Sequence, residues 1–199
     1  MRILASLIVV AFLAACLTVP AGPQASDETI AATAFRADGP ATLTLITMIN
    51  NTSQSGAHTA LMINGSQRVI FDPAGSFRNE KVPRRDDVLY GIRPVVLAAY
   101  KGAHARSAFH IVLQTVEVSP LVAERAIRLA MARGRVSSPQ CAASTIGLLQ
   151  QLDGFSGVSR TLFPKRLMEN FATLSGVETE KYYEDDEGTI VDGIAKVDL

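Results

Sequence analysis

The chain reads as an α+β protein in which a small antiparallel sheet packs against helices. Two observations lead there. β-Branched and apolar residues crowd into short runs at 42–49, 57–64 and 67–71, the last two joined by Asn64-Gly65, a strong hairpin signal. The second half turns to helix-forming patterns, and strands followed by helices indicate segregated α+β architecture rather than alternating units.

Each element has its own local cause. Residues 42–49 are Thr, Leu, Ile and Met throughout, and 57–64 carries His58 at its mouth after a polar loop. The third run stops at Asp72-Pro73-Ala74-Gly75, a turn sequence. Residues 78–87 are charged and irregular and predict a surface loop, while 88–103 is ambiguous, with a helical option over 95–101 before Gly102. Residues 109–118 alternate as a strand. Ser119-Pro120 then opens a helix over 121–133 that Gly134 ends. A further helix spans 164–174, where Leu167, Met168, Phe171 and Leu174 share a face that predicts core packing.

The ends differ from the middle. Met1-Arg2, an apolar run over 3–12 and Leu13-Ala14-Ala15-Cys16 resemble a lipoprotein signal peptide (1–15) whose Cys16 becomes lipid-modified. The alternative is an ordinary cleaved signal. Residues 16–41, rich in Pro, Gly, Ala, Ser and Thr, read as a tether, 42–176 as the domain, and 177–199 as an acidic tail. On this reading the protein sits in the cell envelope, held to the membrane by its lipid. Leu17 after the cysteine favours, by analogy, the outer membrane facing the periplasm. Positive and negative side chains cancel over the whole chain, and no basic run interleaves with aromatics, so a nucleic-acid partner is not expected.

Chemistry concentrates at Cys141. With Cys16 lipidated, no disulfide can form and Cys141 is the one free thiol. Residues 137–151 place it near the start of an apolar helix, with Ser137 or Ser138 as expected N-cap and Pro139 in the first turn. Unpaired N–H groups and the helix dipole there favour a thiolate and can hold an oxyanion. A nucleophile also needs a base and an orienting group. Of the three histidines, His58 can face a cleft, His104 lies in a polar stretch expected to be exposed, and His110 reads as structural. Asp72 is the candidate orienting group, with capping of its own turn as the alternative. No metal-ligand spacing, phosphate loop or Gly-x-Ser-x-Gly motif occurs, so neither metal nor cofactor is expected.

The order of His58 on a strand, Asp72 after the next strand and Cys141 opening a later helix resembles the circularly permuted branch of the papain-like NlpC superfamily. The matching pieces are Ser55-Gly56-Ala57-His58-Thr59-Ala60-Leu61-Met62-Ile63, Arg68-Val69-Ile70-Phe71-Asp72, the strand and helix from Phe109, Gln140-Cys141-Ala142-Ala143-Ser144, and Thr161-Leu162-Phe163-Pro164-Lys165-Arg166-Leu167. The resemblance implies a permuted papain-like fold in which Cys141 is the nucleophile, His58 the base and Asp72 its orienter, with the Cys141 N–H serving the oxyanion. It also implies a cysteine hydrolase that cleaves an amide or acyl bond, with a peptidoglycan peptide or a lipid as substrate. The rival expectation is a catalytically silent envelope binding module, with Cys141 packed as a small hydrophobe.

Overall fold

The computed structural model describes residues 23–195, so the expected signal peptide and the lipidation site Cys16 lie outside the described residues. Among the described residues, one seven-stranded antiparallel sheet carries six helices. In chain order these are α1 (Asp27–Thr33), β1 (Thr42–Asn50), β2 (Gly56–Asn64), β3 (Arg68–Phe71), β4 (Arg84–Arg85), β5 (Val88–Leu89), α2 (Pro94–His104), β6 (Phe109–Glu117), α3 (Pro120–Arg133), α4 (Cys141–Leu149), α5 (Pro164–Phe171), β7 (Glu178–Tyr182) and α6 (Ile190–Ala195). The strand order is β4-β5-β3-β2-β1-β6-β7, which puts the most apolar strand, β1, near the middle.

Both faces of the sheet are covered, and that explains the unbroken apolar run of β1. Leu43 and Leu45 face one way, with Leu61, Ile63 and Phe71, onto α3, α4 and α5. Ile46 and Met48 face the other way, with Ala60 and Met62, onto Tyr100 and Ala103 of α2. A strand buried on both sides shows no polar alternation. Ser119 caps α3 by accepting from the Val122 N–H, and Pro120 takes the first helical position.

Both flanking segments differ from expectation. From residue 23 on, the expected tether is docked on the domain. Ala25 exchanges hydrogen bonds with Arg84 and Arg85, and the Asn64 side chain accepts from the Ala37 N–H at 3.0 Å. The Arg68 guanidinium lies over the Phe35 ring, 4.9 Å from its centroid. These contacts join backbone groups to side chains far along the chain, so the segment itself carries no periodic signal. The expected acidic tail supplies β7, which pairs with β6 from Thr115↔Glu178 to Ile111↔Tyr182, and α6, which packs on α2. Its glutamates suit an edge strand, whose outer side faces solvent and resists further pairing.

The segment expected to be a charged surface loop is partly internal. Asp87 is only 2% exposed. Its carboxylate accepts from Arg84 Nη2 at 2.7 Å, from the Ala74 N–H at 3.0 Å and from the Val136 N–H at 2.8 Å. Its backbone carbonyl accepts from the Asp72 N–H at 2.7 Å. One buried side chain thus ties the turn after β3 to the approach to α4. Removing one member of such a buried pair leaves the other charge without compensation. Asp87→Ala is expected to lower unfolding stability by about 3–5 kcal/mol in urea titration. Arg166→Ala, which removes an exposed pair with Glu169, is expected to cost less than about 1 kcal/mol.

Candidate active site

His58 owes its position to an irregularity in β2. Met48 pairs with His58 and Ile49 with Gly56, so Ala57 is an extra residue on β2 directly before the histidine. Such bulges bend a strand end and re-aim the neighbouring side chain. The strand start is also clamped by α5. A Cβ on Gly56 would collide with the Lys165 backbone nitrogen, and Lys165 Nζ donates to the Gln54 carbonyl at 2.9 Å. Only glycine lets the start of α5 approach so closely.

Asp72 lies at the end of β3, with 0% exposure. Its Oδ1 takes a 2.7 Å hydrogen bond from His58 Nε2 and a 3.0 Å hydrogen bond from the Tyr100 hydroxyl. The following turn is closed by the backbone, with the Gly75 N–H donating to the Asp72 carbonyl at 2.9 Å. The side chain is therefore spent on His58 and Tyr100 rather than on capping. A Cβ on Gly75 would overlap the Asp72 carboxyl group, so the turn needs glycine at its fourth position to leave room for that carboxylate.

Cys141 is the first residue of α4. The expected serine cap is absent. Gln140 is the N-cap, without a side-chain cap hydrogen bond, and Ser137 contributes only its carbonyl, which accepts from the Gln140 N–H. The first-turn N–H groups are thus left open to other acceptors. His58 and the backbone N–H groups of Thr59 and Ala142 all favour the ionised form of the sulfur. Since His58 Nε2 faces Asp72, Nδ1 is the nitrogen left for the thiol.

The electrostatics of the three groups are coupled. Burial alone would raise the Cys141 thiol, but the His58 hydrogen bond and charge, with the two backbone N–H groups, bring it below its ordinary value. Burial would lower His58, yet hydrogen bonds and charges from Asp72 and Cys141 push it up to about 10. Burial would likewise raise Asp72, and the donors around it hold its carboxyl below the usual range instead. The arrangement favours a thiolate–imidazolium pair with an ionised carboxylate behind it.

The other histidines fall differently. His104 is not exposed as its polar surroundings suggest. It ends α2 at 3% exposure, its Nδ1 donates to the Tyr100 carbonyl at 2.8 Å, and its ring stacks 6.5 Å from His58. Ala103 and Ala105 beside it are buried, which a local reading of Lys, Gly and Arg neighbours does not reveal. His110 is buried too, with Nδ1 2.6 Å from Asn51 Oδ1. Tyr100, Gly75 and Asp87 were not anticipated as part of the site. Only Gly75 left a trace, as the close of a turn sequence.

Among the described residues no group of three or more His, Cys, Asp and Glu side chains gathers to hold a metal ion, and no helix is long and apolar enough to cross a membrane. Comparison with known proteins gives no matching family model, curated protein or solved structure.

The close packing of Gly75 against Asp72 makes a direct test. In Gly75→Ala the carboxylate has to move off the added methyl, and His58 loses its partner. The His58 ring, followed by NMR, should then titrate well below about 10, toward the ordinary histidine value near 6.5.

Proposed function

We propose that the protein is a cysteine hydrolase or acyltransferase of the cell envelope, acting on an amide or acyl bond through Cys141, His58 and Asp72. The observation that carries this is the His58 imidazole, held 2.7 Å from the buried Asp72 carboxylate and close enough to Cys141 to bring its thiol below the ordinary value. The permuted papain-like reading accords with the order of those residues along the chain. The envelope location and a peptidoglycan or lipid substrate rest on the signal-like sequence before Cys16.

The chemistry follows from the pair. The Cys141 thiolate attacks the substrate carbonyl carbon and a C–S bond forms. The negative charge passing to the carbonyl oxygen is met by first-turn N–H groups of α4, the Cys141 N–H among them. As the bond to the leaving nitrogen or oxygen breaks, the His58 imidazolium gives that atom its proton. Water, or an acceptor amine or alcohol, then attacks the thioester, His58 takes its proton, and the thiolate is restored. Asp72, with Tyr100 behind it, holds the imidazole in the tautomer and orientation both steps need.

The pH behaviour has a definite sign. His58 is raised above its free value of 6.5, so the stability its charged form contributes is complete below 6.5 and disappears as pH climbs through about 10. Turnover should accordingly fall above pH about 10, where the acid is lost. On the acid side the limit is set by Cys141, whose iodoacetamide alkylation should show a midpoint below the ~8.5 of a free thiol. His58→Ala should return that midpoint to about 8.5 or above. Asp72→Asn should lower turnover by roughly 10²–10⁴-fold while the protein stays folded. A Cys141 that reacts only on unfolding would mean a packed structural thiol and sink the proposal.

A further inference from the structure

A cavity of about 480 Å³ opens beside His58, within the range of about 300–1,000 Å³ usual for small-ligand clefts. Met48, Phe109, Ile190 and Val191 give it apolar walls, and His58, His104, Arg106 and Thr189 are its polar members. His104 and Arg106 each hold a buried nitrogen with no partner among the described residues, His104 Nε2 and Arg106 Nε. For His104 the tautomer is fixed. The Tyr100 carbonyl can only accept, so Nδ1 bears the proton, and burial draws the ring toward its neutral form. Nε2 is then a bare acceptor. Arg106 donates through Nη1 to Asp186 at 3.0 Å, which leaves Nε–H as a donor without an acceptor. Both nitrogens are sealed from solvent, so what the cavity offers an occupant is its apolar wall and the His58 ring.

The position of the cavity says which half of a substrate it could hold. His58 is part of its lining and Cys141 is not. When a thiolate displaces an amine, the departing nitrogen takes its proton from the imidazolium and must lie against that ring. On the reading of Cys141 and His58 given above, we infer that this cavity is the leaving-group subsite. It takes the apolar side chain of the departing amine, as an apolar amino-acid amide carries, between Met48, Phe109 and Ile190. In the step it serves, the carbonyl carbon gains the sulfur and loses the nitrogen, and the amine leaves carrying the His58 proton.

One wall belongs to the segment that reads in sequence as an acidic tail. The side chain of Asp192 accepts from the Thr189 N–H and hydroxyl, which fixes the start of α6. A Cβ on Gly193 would overlap Arg106 Nη2, so α6 lies directly against the buried guanidinium. Ile190 is thereby held at the cavity wall, and Val191, 70% exposed, stands at its rim.

The test uses the full chain and two probes, leucinamide and glycinamide, with binding measured by calorimetry or ligand-observed NMR. Leucinamide should bind at least about tenfold more tightly, because only its side chain removes apolar surface from water. Ala108→Trp, which fills the mouth from an exposed position, and Val191→Asp, which charges the opposite rim, should each abolish that preference in proteins whose thermal unfolding is unchanged. Equal binding of the two probes, or a preference that survives both substitutions, would overturn the assignment. The alkylation profile of Cys141 separates the two ideas. Leucinamide preference with an ordinary thiol would support the cavity as a ligand site and refute the acyl-transfer reading, whereas a perturbed thiol without the preference would refute the subsite alone.

Discussion

The buried carboxylate of Asp72 is the constraint that most of the surrounding structure serves. An ionised carboxylate out of water is destabilising by several kcal/mol unless its oxygens are satisfied. Here the compensation falls on Oδ1, from His58 on the second strand and Tyr100 on α2, while Oδ2 has no partner among the described residues. The turn that presents Asp72 is held in turn by Asp87, which accepts from Ala74 and takes the Asp72 N–H on its own carbonyl. A second buried aspartate, paired with Arg84, thus positions the first. Because Asp87 also accepts from Val136, a displacement of this turn would be felt by the chain leading into the cysteine helix.

The sheet and the helices supply different members of the candidate site. His58 shares its sheet face with Ala60 and Met62 and looks toward α2, whose Tyr100 completes the carboxylate shell. Cys141 arrives from the opposite layer, where Ala142, Ile146 and Leu149 anchor α4 in the other core. The two meet because Cys141 lies at the helix start rather than within it, where His58 and the neighbouring Thr59 N–H both favour its ionised form. The small residues behind Cys141 have a packing reason. Ala142 is fully buried in the core beneath the helix, where a larger side chain would push the N-terminus away from β2.

What was legible in the sequence tracks what is local. Strands β1, β2 and β6 and helices α3 and α5 carry their own periodicity, caps or stop residues, and Asn64-Gly65 fixes the turn between β2 and β3. Cys141, His58 and Asp72 could be singled out because nucleophile, base and orienter are chemical types with few candidates in this chain. The supporting cast was hidden for a physical reason. Tyr100 and His104 look like ordinary residues of an indistinct helix until that helix is laid across the sheet. Asp87 sits in a run of arginines and aspartates that reads as solvated, and only the fold shows that one of those carboxylates is internal. The flanking segments misled in the same way, because their order comes from strand pairing and from side chains distant in sequence.

The enclosure of the cavity beside His58 follows from a conflict that the fold resolves at its edge. β6 would otherwise end the sheet with an open row of N–H and C=O groups, an invitation to pair with another chain. β7 closes that edge, and its charged residues then discourage further growth. Once β7 is in place, the chain emerges near the end of α2 and α6 has only that surface to cover. Arg106, buried under α6 with its charge answered by Asp186, ties the two together. The same segment that seals an aggregation-prone edge therefore lines a cavity beside His58.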